Sequence, residues 1–353
     1  MFRWFWLIIA LAVALAAGSL SAQPAPSRIV AIGDLHGDHE AWRAIARGAG
    51  LVDARGKWSG GNATLVQMGD IVDRGPDSLK IIRDLMKLQR EATKRGGRVV
   101  VLLGNHEAMM MTGDGRYVHP GEYAAFADRD SKARRERVYE ANKAAIETAY
   151  RASTPDMAAD AIKADWLKDW PLGKVEYQLA WRPGGELGKW ALDNPAVAKL
   201  GDTLFVHGGI SAAFAHVPID EINRQVAVSL KAQDSSPTAI TNNPQGPLWY
   251  RGLIIRNDGD DATVAPVPPG TTIPLTIAQE IDLALKTYGV KRIVVAHTPS
   301  RQGIIEAAGG KLWRVDSAIS RAYGGTPAYL EIVGDRVTAH SVPRPAGKEW
   351  GKL

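Results

Sequence analysis

The 353-residue chain contains no cysteine. That excludes disulfides, thiolate metal ligands, a thiol nucleophile and a lipidated N-terminal cysteine, so any metal must be held by nitrogen and oxygen. Excess charge of one sign is also scarce. Forty-three Lys and Arg against 38 Asp and Glu leave +5, which suits attraction of anionic substrates but equally describes an ordinary basic protein. No nucleic-acid recognition motif is present. Long apolar runs are missing outside the N-terminus. There, Arg3 precedes the run Leu7–Ala17 and the small residues Gly18-Ser19-Leu20-Ser21-Ala22, the pattern of an export signal over 1–22. The run is short of the ~20 residues a membrane span needs, which leaves an uncleaved anchor as the second reading. The expectation is a periplasmic or secreted protein with no stable membrane insertion. There is no internal repeat. A chain of this size can stand on its own core without cross-links, as one large domain with an insertion or as two modest domains.

What is present is a repeated pattern. Three apolar runs each end in a burst of polar residues. Arg28–Ile32 leads into Gly33-Asp34-Leu35-His36-Gly37, Thr64–Met68 into Gly69-Asp70-Ile71-Val72-Asp73-Arg74-Gly75, and Val99–Leu103 into Gly104-Asn105-His106-Glu107. Helical spacing over 39–49 and 79–94 separates them, the second helix capped by Asp77 or Ser78. This β-α-β-α-β rhythm predicts a largely parallel sheet with right-handed crossovers. The rhythm stops over 109–199, which reads as a helical cap broken at Pro155, Pro171, Pro183 and Pro195, inserted into a core of 23–108 and 200–345. The basic group around Arg134, Arg135 and Arg137 reads as a solvated face. Thr203–Val206 then ends in His207-Gly208-Gly209, and Arg292–Ala296 ends in His297-Thr298. Residues 257–272 read as a surface loop, and Gly334-Asp335 as the turn of an edge hairpin.

Five strand ends thus carry Asp, His or Asn, and ligands in open α/β sheets bind beyond the carboxyl ends of strands. One histidine after a strand is ordinarily structural; five coincident ends point to metal. The candidate ligands are Asp34, His36, Asp70, Asn105, His207 and His297, a hard-to-borderline set that suits manganese, iron or zinc, with manganese first for activity in vitro. Six ligands exceed what one open catalytic ion takes and fit two ions about 3.5–4 Å apart. Such a pair favours phosphoester hydrolysis by activated water without a covalent enzyme intermediate. His106 is the candidate general acid, Asp73 its orienting carboxylate, and Arg74 a fork for phosphate oxygens. His39, His119, His216 and His340 lie outside these motifs and read as structural or surface residues. Asp38 reads either as a partner of a metal ligand or as a helix cap.

In order, these motifs resemble the calcineurin-like metallophosphoesterases. Asp73-Arg74-Gly75 and Asn105-His106-Glu107 resemble the phosphoprotein phosphatase branch. The helical insert, Pro247-Leu248-Trp249-Tyr250-Arg251 and the stretch Asp316–Gly325 resemble more particularly the Shewanella-like protein phosphatases. The resemblance spans about 29–330. It implies an α/β fold, a two-sheet β-sandwich flanked by helices with the inserted cap. It assigns Asp34, His36 and Asp70 to one ion, and Asp70, Asn105, His207 and His297 to the second. It adds Asn105, Arg251 and Tyr323 on the phosphate side. The expected activity is phosphomonoester hydrolysis on phosphotyrosine or phosphoserine/threonine of a protein or peptide. The alternatives are a nucleotide, dinucleoside polyphosphate or phosphodiester hydrolase on the same core, and a binding module without turnover.

Overall fold

A computed structural model of the chain describes residues 28–256 and 275–347. The segments read as export signal (1–22) and as surface loop (257–272) lie outside the described residues. The first sheet grows from β1 (Arg28–Ile32), β2 (Thr64–Gln67) and β3 (Arg98–Val101), joined by α1 (His39–Gly48) and α2 (Ser78–Thr93). Both pairings are parallel, as the rhythm predicts. The strands are apolar on both faces because both are covered. Val30, Ile32, Leu65, Val99 and Val101 pack with Trp42 and Ile45 of α1 and Ile81, Ile82, Leu85 and Leu88 of α2.

The loop before α1 is closed by Asp38, whose Oδ1 accepts from the Ala41 amide at 3.0 Å. Of its two readings, the cap is therefore seen. Asp77 sits at the cap position of α2 but makes no capping bond and pairs with Lys80 at 2.7 Å. The Ser78 amide donates instead to Glu122 at 3.2 Å. A distant carboxylate thus does the work the local sequence suggested for Asp77.

Then come α3 (Asn105–Thr112), α4 (Pro120–Ala124), α5 (Ser131–Ser153), α6 (Ala159–Asp169), α7 (Lys174–Trp181) and α8 (Glu186–Leu192). Pro155, Pro171 and Pro183 fall between successive helices, where proline's missing donor costs least. The second sheet begins with β4 (Val197–Leu200) and β5 (Thr203–Val206), an antiparallel pair turning at Gly201. Residues 197–199, read as the end of the helical stretch, are therefore strand; four residues are too few to show a period. It continues through α9 (Ile219–Ala232), α10 (Ile277–Tyr288), β6 (Arg292–Val295), β7 (Ile305–Ala307) and β8 (Leu312–Arg314). The chain returns to the first sheet as the hairpin β9 (Ala328–Val333) and β10 (Arg336–Ser341), turning at Gly334.

The strand orders are β10-β9-β1-β2-β3 and β4-β5-β6-β8-β7. Ile29, Ala31, Val66, Met68 and Val100 of one sheet form a single cluster with Phe205, Val294, Ala296, Trp313 and Val315 of the other. The molecule is the expected sandwich, with helices outside. Among the described residues no helix is long and apolar enough to cross a membrane.

Candidate active site

β1, β2 and β3 run parallel, as do β5, β6 and β8. Their carboxyl ends gather at one edge of the sandwich, and that edge collects the polar motifs. Asp34, His36, Asp70, Asn105, His106, His207 and His297 are each at most 4% exposed. So many buried polar groups persist only where partners or a ligand offset their desolvation.

The loops that present them are bent tightly. His36, Asp70, Asp73, Arg74 and His297 all have positive φ, between 40° and 69°, a region L-residues seldom enter and which gathers at functional sites. The Leu35 and His36 amides donate to the Asp70 carbonyl at 2.9 and 3.0 Å, locking the first loop onto the second. Glu107 locks the second onto the third. Its carboxylate accepts from the amides of Gly104 and Asp70 at 2.9 Å, Ile71 at 2.8 Å and Val72 at 3.4 Å. Gly104 must lack a side chain, since a Cβ there would collide with Asp70 Oδ1.

Asp70 is the hub. Its Oδ2 lies 3.8 Å from His36 Nε2, 3.8 Å from His106 Nε2 and 3.3 Å from His207 Nε2. Two groups, His36–Asp70–His106 and Asp70–His207–His297, each bring their ligand-capable atoms within 4.8 Å of one another. Asp34 joins both sides, with Oδ2 4.0 Å from His36 Nε2 and Oδ1 accepting from the His297 amide at 3.3 Å. Asn105 Oδ1 lies 3.1 Å from His207 Nε2. His36 Nδ1 and His207 Nδ1 contact the carbonyls of Val72 and Met68 at 2.8 and 2.7 Å. Those bonds turn each Nε2 inward as a neutral donor atom, the arrangement metal-binding histidines take. The buried His297 Nε2 has no partner. An inward orphan nitrogen among carboxylates, amide oxygen and imidazoles fits a divalent cation, and the six sequence candidates fall together around it.

The charges agree. Burial alone would raise the Asp70 carboxyl, but His207, His106 and His36 hold it well below the usual range. Burial, then the His106 charge, lowers His36 to about 3, and burial and His207 push His297 well down. His36 and His297 are thus neutral imidazoles beside an ionised carboxylate, the state that ligation requires, whereas Asp70 raises the His207 pKa against burial, so His207 would release a proton on binding a cation.

His106 is set apart. Its Nδ1 meets Asp73 Oδ2 at 2.5 Å. Burial would lower its pKa, but Asp70 and Asp73 override that and raise it. Arg74 extends the pair: its guanidinium lies 4.6 Å from the Tyr117 ring and 5.1 Å from the Tyr323 ring. Arg251 borders the opposite side, donating to the His297 carbonyl at 3.3 Å, and Tyr323 packs 5.5 Å from His36. His39 and His340 pair with Asp84 and Glu331 at 3.1 and 3.3 Å, away from the site.

Three residues here carried no role in the sequence reading. Glu107 lay inside a named motif. Tyr117 gave no signal. Asp316 did: Leu312–Val315 followed by Asp is the same apolar-run-then-carboxylate pattern, at a sixth parallel strand end. It is 1% exposed, its Oδ2 is unpartnered, and burial raises its pKa to about 6.

The family model of the calcineurin-like phosphoesterases matches residues 27–301. Shewanella-like protein phosphatase 2 of Arabidopsis thaliana is 32% identical over 335 residues, 92% of this chain and 80% of that protein. Shewanella-like protein phosphatase 1 of Plasmodium berghei is 28% identical over 322 residues, 88% of this chain and 73% of that protein. Among solved structures, a cold-active protein-tyrosine phosphatase of a psychrophilic Shewanella species is similar in fold, with a TM-score of 0.61 and 24% identity, covering 90% of this chain and 81% of the other. A protein serine/threonine phosphatase of Saccharomyces cerevisiae aligns with a TM-score of 0.54 and 15% identity over 92% and 82%.

Proposed function

The chain belongs to the calcineurin-like phosphoesterase family, and on that premise we propose that it is a metal-dependent phosphomonoesterase acting on phosphorylated proteins or peptides. The observation that carries the reading is the His106–Asp73 pair set against buried His36, His207 and His297, whose ligand-capable atoms converge on Asp70. Asp34, His36 and Asp70 would hold one ion; Asp70, Asn105, His207 and His297 the other. Manganese is the first expectation, with iron or zinc as alternatives. When bound, such ions supply positive charge against the phosphoryl oxygens and lower the pKa of water.

The chain's own groups do the rest. Asp73 fixes the His106 ring so that Nε2 faces the centre. There it donates the proton that the leaving alkoxide or phenoxide oxygen takes as the phosphorus–oxygen bond breaks. Arg74, held between two tyrosine rings, offers its fork to the phosphate oxygens, and Arg251 and the Asn105 amide approach from the other side. The rim of Tyr117, Tyr323 and Trp249, whose ring lies 5.6 Å from that of His297, favours an aromatic leaving group, so phosphotyrosine is proposed ahead of phosphoserine and phosphothreonine. We further propose that residues 1–22 direct export and that the 109–199 region acts as a cap on the site.

The test is hydrolysis of phosphotyrosine, phosphoserine and phosphothreonine peptides beside a phosphodiester, using EDTA-stripped protein with Mn²⁺, Zn²⁺ or Fe²⁺ restored. Metal-restored monoester activity is expected, highest on phosphotyrosine. Activity on the diester alone would overturn the reading in favour of a nucleotide or diester hydrolase.

A further inference from the structure

Two cavities lie in the helical segment, beyond the polar cleft. One, of about 560 Å³, is walled by Met110, Tyr123, Trp170, Lys174, Tyr177 and Arg182. The other, of about 570 Å³, shares Trp170, Gln178 and Arg182 with it and continues between α5, α6 and α7 past Arg137, Val138 and Leu179. Trp170, Gln178 and Arg182 thus line both, and the two cavities adjoin at these residues as a groove.

The groove is cationic and its cations are unspent. The Lys174 ammonium is held between the Tyr123 and Trp170 rings, 5.5 and 5.1 Å from their centres, and donates to the Asp169 carbonyl at 2.7 Å. The Asp169 carboxylate is engaged by Tyr150 at 3.2 Å. Among the described residues no carboxylate stands within 4 Å of Lys174, Arg137 or Arg182, although Arg134 alongside is neutralised by Glu176. The carboxylate in the first cavity's lining, Asp114, is spent on Arg116. Two aromatic rings and a carbonyl hold Lys174 in place at little further entropic cost, which is what preorganises a cation for an anionic partner.

The groove also adjoins the site. Its floor residues Met110 and Met111 end α3, the helix that begins at Asn105 and His106. From Asn105 to Met111 the helix advances about 9 Å. Asp114 and Gly115 at the rim lead directly into Tyr117, which stacks on Arg74. An extended peptide covers about 3.3 Å per residue, so three or four residues span the length of helix between Asn105 and the groove floor.

We propose that this groove docks an acidic segment of the phosphorylated substrate, with an Asp or Glu three or four residues from the phosphorylated residue meeting Lys174 and Arg182. The inference rests on the phosphoprotein phosphatase reading for the identity of the substrate, but the binding it describes is separable from turnover. The apolar continuation past Val138 and Leu179 would take a neighbouring apolar side chain.

The experiment uses the full, metal-replete protein with Lys174→Met, which keeps the stem between the rings, and Arg182→Glu at an exposed position. Two phosphopeptides differing only in Glu or Lys at the third and fourth positions are compared with para-nitrophenyl phosphate, and anisotropy reads binding of the unphosphorylated Glu peptide. Wild type should favour the Glu peptide through KM, by about fivefold or more. Either substitution should remove most of that preference, weaken the unphosphorylated peptide equally, and leave para-nitrophenyl phosphate unchanged. Equal use of both peptides by wild type would overturn the groove while leaving the phosphatase reading standing. Cation-dependent capture of the Glu peptide without hydrolysis of any phosphopeptide would do the reverse. Binding of inorganic phosphate or a nucleotide that Lys174→Met abolishes, with no preference between the peptides, would also overturn it, assigning the cavity to a small anion.

Discussion

His106 and Asp73 form a unit whose parts can be separated by leaving group and by pH. A general acid matters in proportion to how poor the leaving group is. His106→Ala should therefore cost about 10²–10⁴-fold on an alkyl phosphomonoester and far less on para-nitrophenyl phosphate; equal losses on both would remove the acid role. Asp73 helps to hold the His106 pKa up against burial. The acid works only while protonated, so activity falls as pH rises through its pKa. Asp73→Asn withdraws one raising charge, and the alkaline limb of the pH–rate profile should move to lower pH. A limb that stays in place would show that the carboxylate acts on something other than His106.

Asp316 belongs to the same scale. Asp34 is pushed well above the ordinary carboxyl range by burial, then by Asp316 and Asp70, so the two buried carboxylates oppose each other until a cation is present. Asp316→Asn should weaken metal binding while stabilising the metal-free protein. Calorimetric titration with Mn²⁺ and thermal melts in EDTA read the two effects separately; unchanged affinity would make Asp316 a packing residue only.

At the scale of elements, the most consequential join is Glu107, at the start of α3. It accepts four backbone amides from the loops after β2 and β3. Glu107→Gln keeps one acceptor oxygen but turns a side-chain NH₂ toward two of the backbone donors and leaves those unsatisfied, at about 1–3 kcal/mol for each buried group. A loss of about 3 kcal/mol in urea unfolding is expected, together with weaker metal retention; a change below about 0.5 kcal/mol would mean the loops hold their shape alone. The elements legible beforehand were those whose period repeats. α1 and α2 show a stripe over ten residues or more, and β1, β2, β3, β5 and β6 end in punctuated motifs. β4 and β7, of four and three residues, are fixed by pairing with β5 and β8, and pairing leaves no mark in a short stretch. The cap of α2 escaped for a related reason: Glu122 reaches it from 44 residues away. Asp316 is readable by the same rule as the other strand ends, since Leu312–Val315 is an apolar run that ends in a carboxylate.

At the scale of the molecule, the ligand candidates divide between the sheets. Asp34, His36, Asp70 and Asn105 follow strands of the first, His207 and His297 strands of the second, and the contacts between the halves at this edge include Asp70–His207 and Asn105–His207 at 3.3 and 3.1 Å. Ions bound here would tie the two sheets together at the edge where both carry strained loops. A ligand that binds only the folded state raises stability with its concentration, by about 4 kcal/mol at a thousandfold above its dissociation constant. For a protein of this length that corresponds to a melting shift on the order of 5 °C per tightly bound ion. EDTA should therefore lower the melting temperature, and titration with Mn²⁺ should restore it in a concentration-dependent way. Asp70→Ala removes the residue both ligand groups share, so its melting temperature should be indifferent to EDTA and to added metal. His106→Ala should respond to both as wild type does, because the acid stands beside the centre without tying it. A wild-type melting temperature that ignores EDTA, with metal content shown to fall, would mean that the hydrogen bonds between the loops alone hold the sheets at this edge, and that the cations serve chemistry without contributing to the fold.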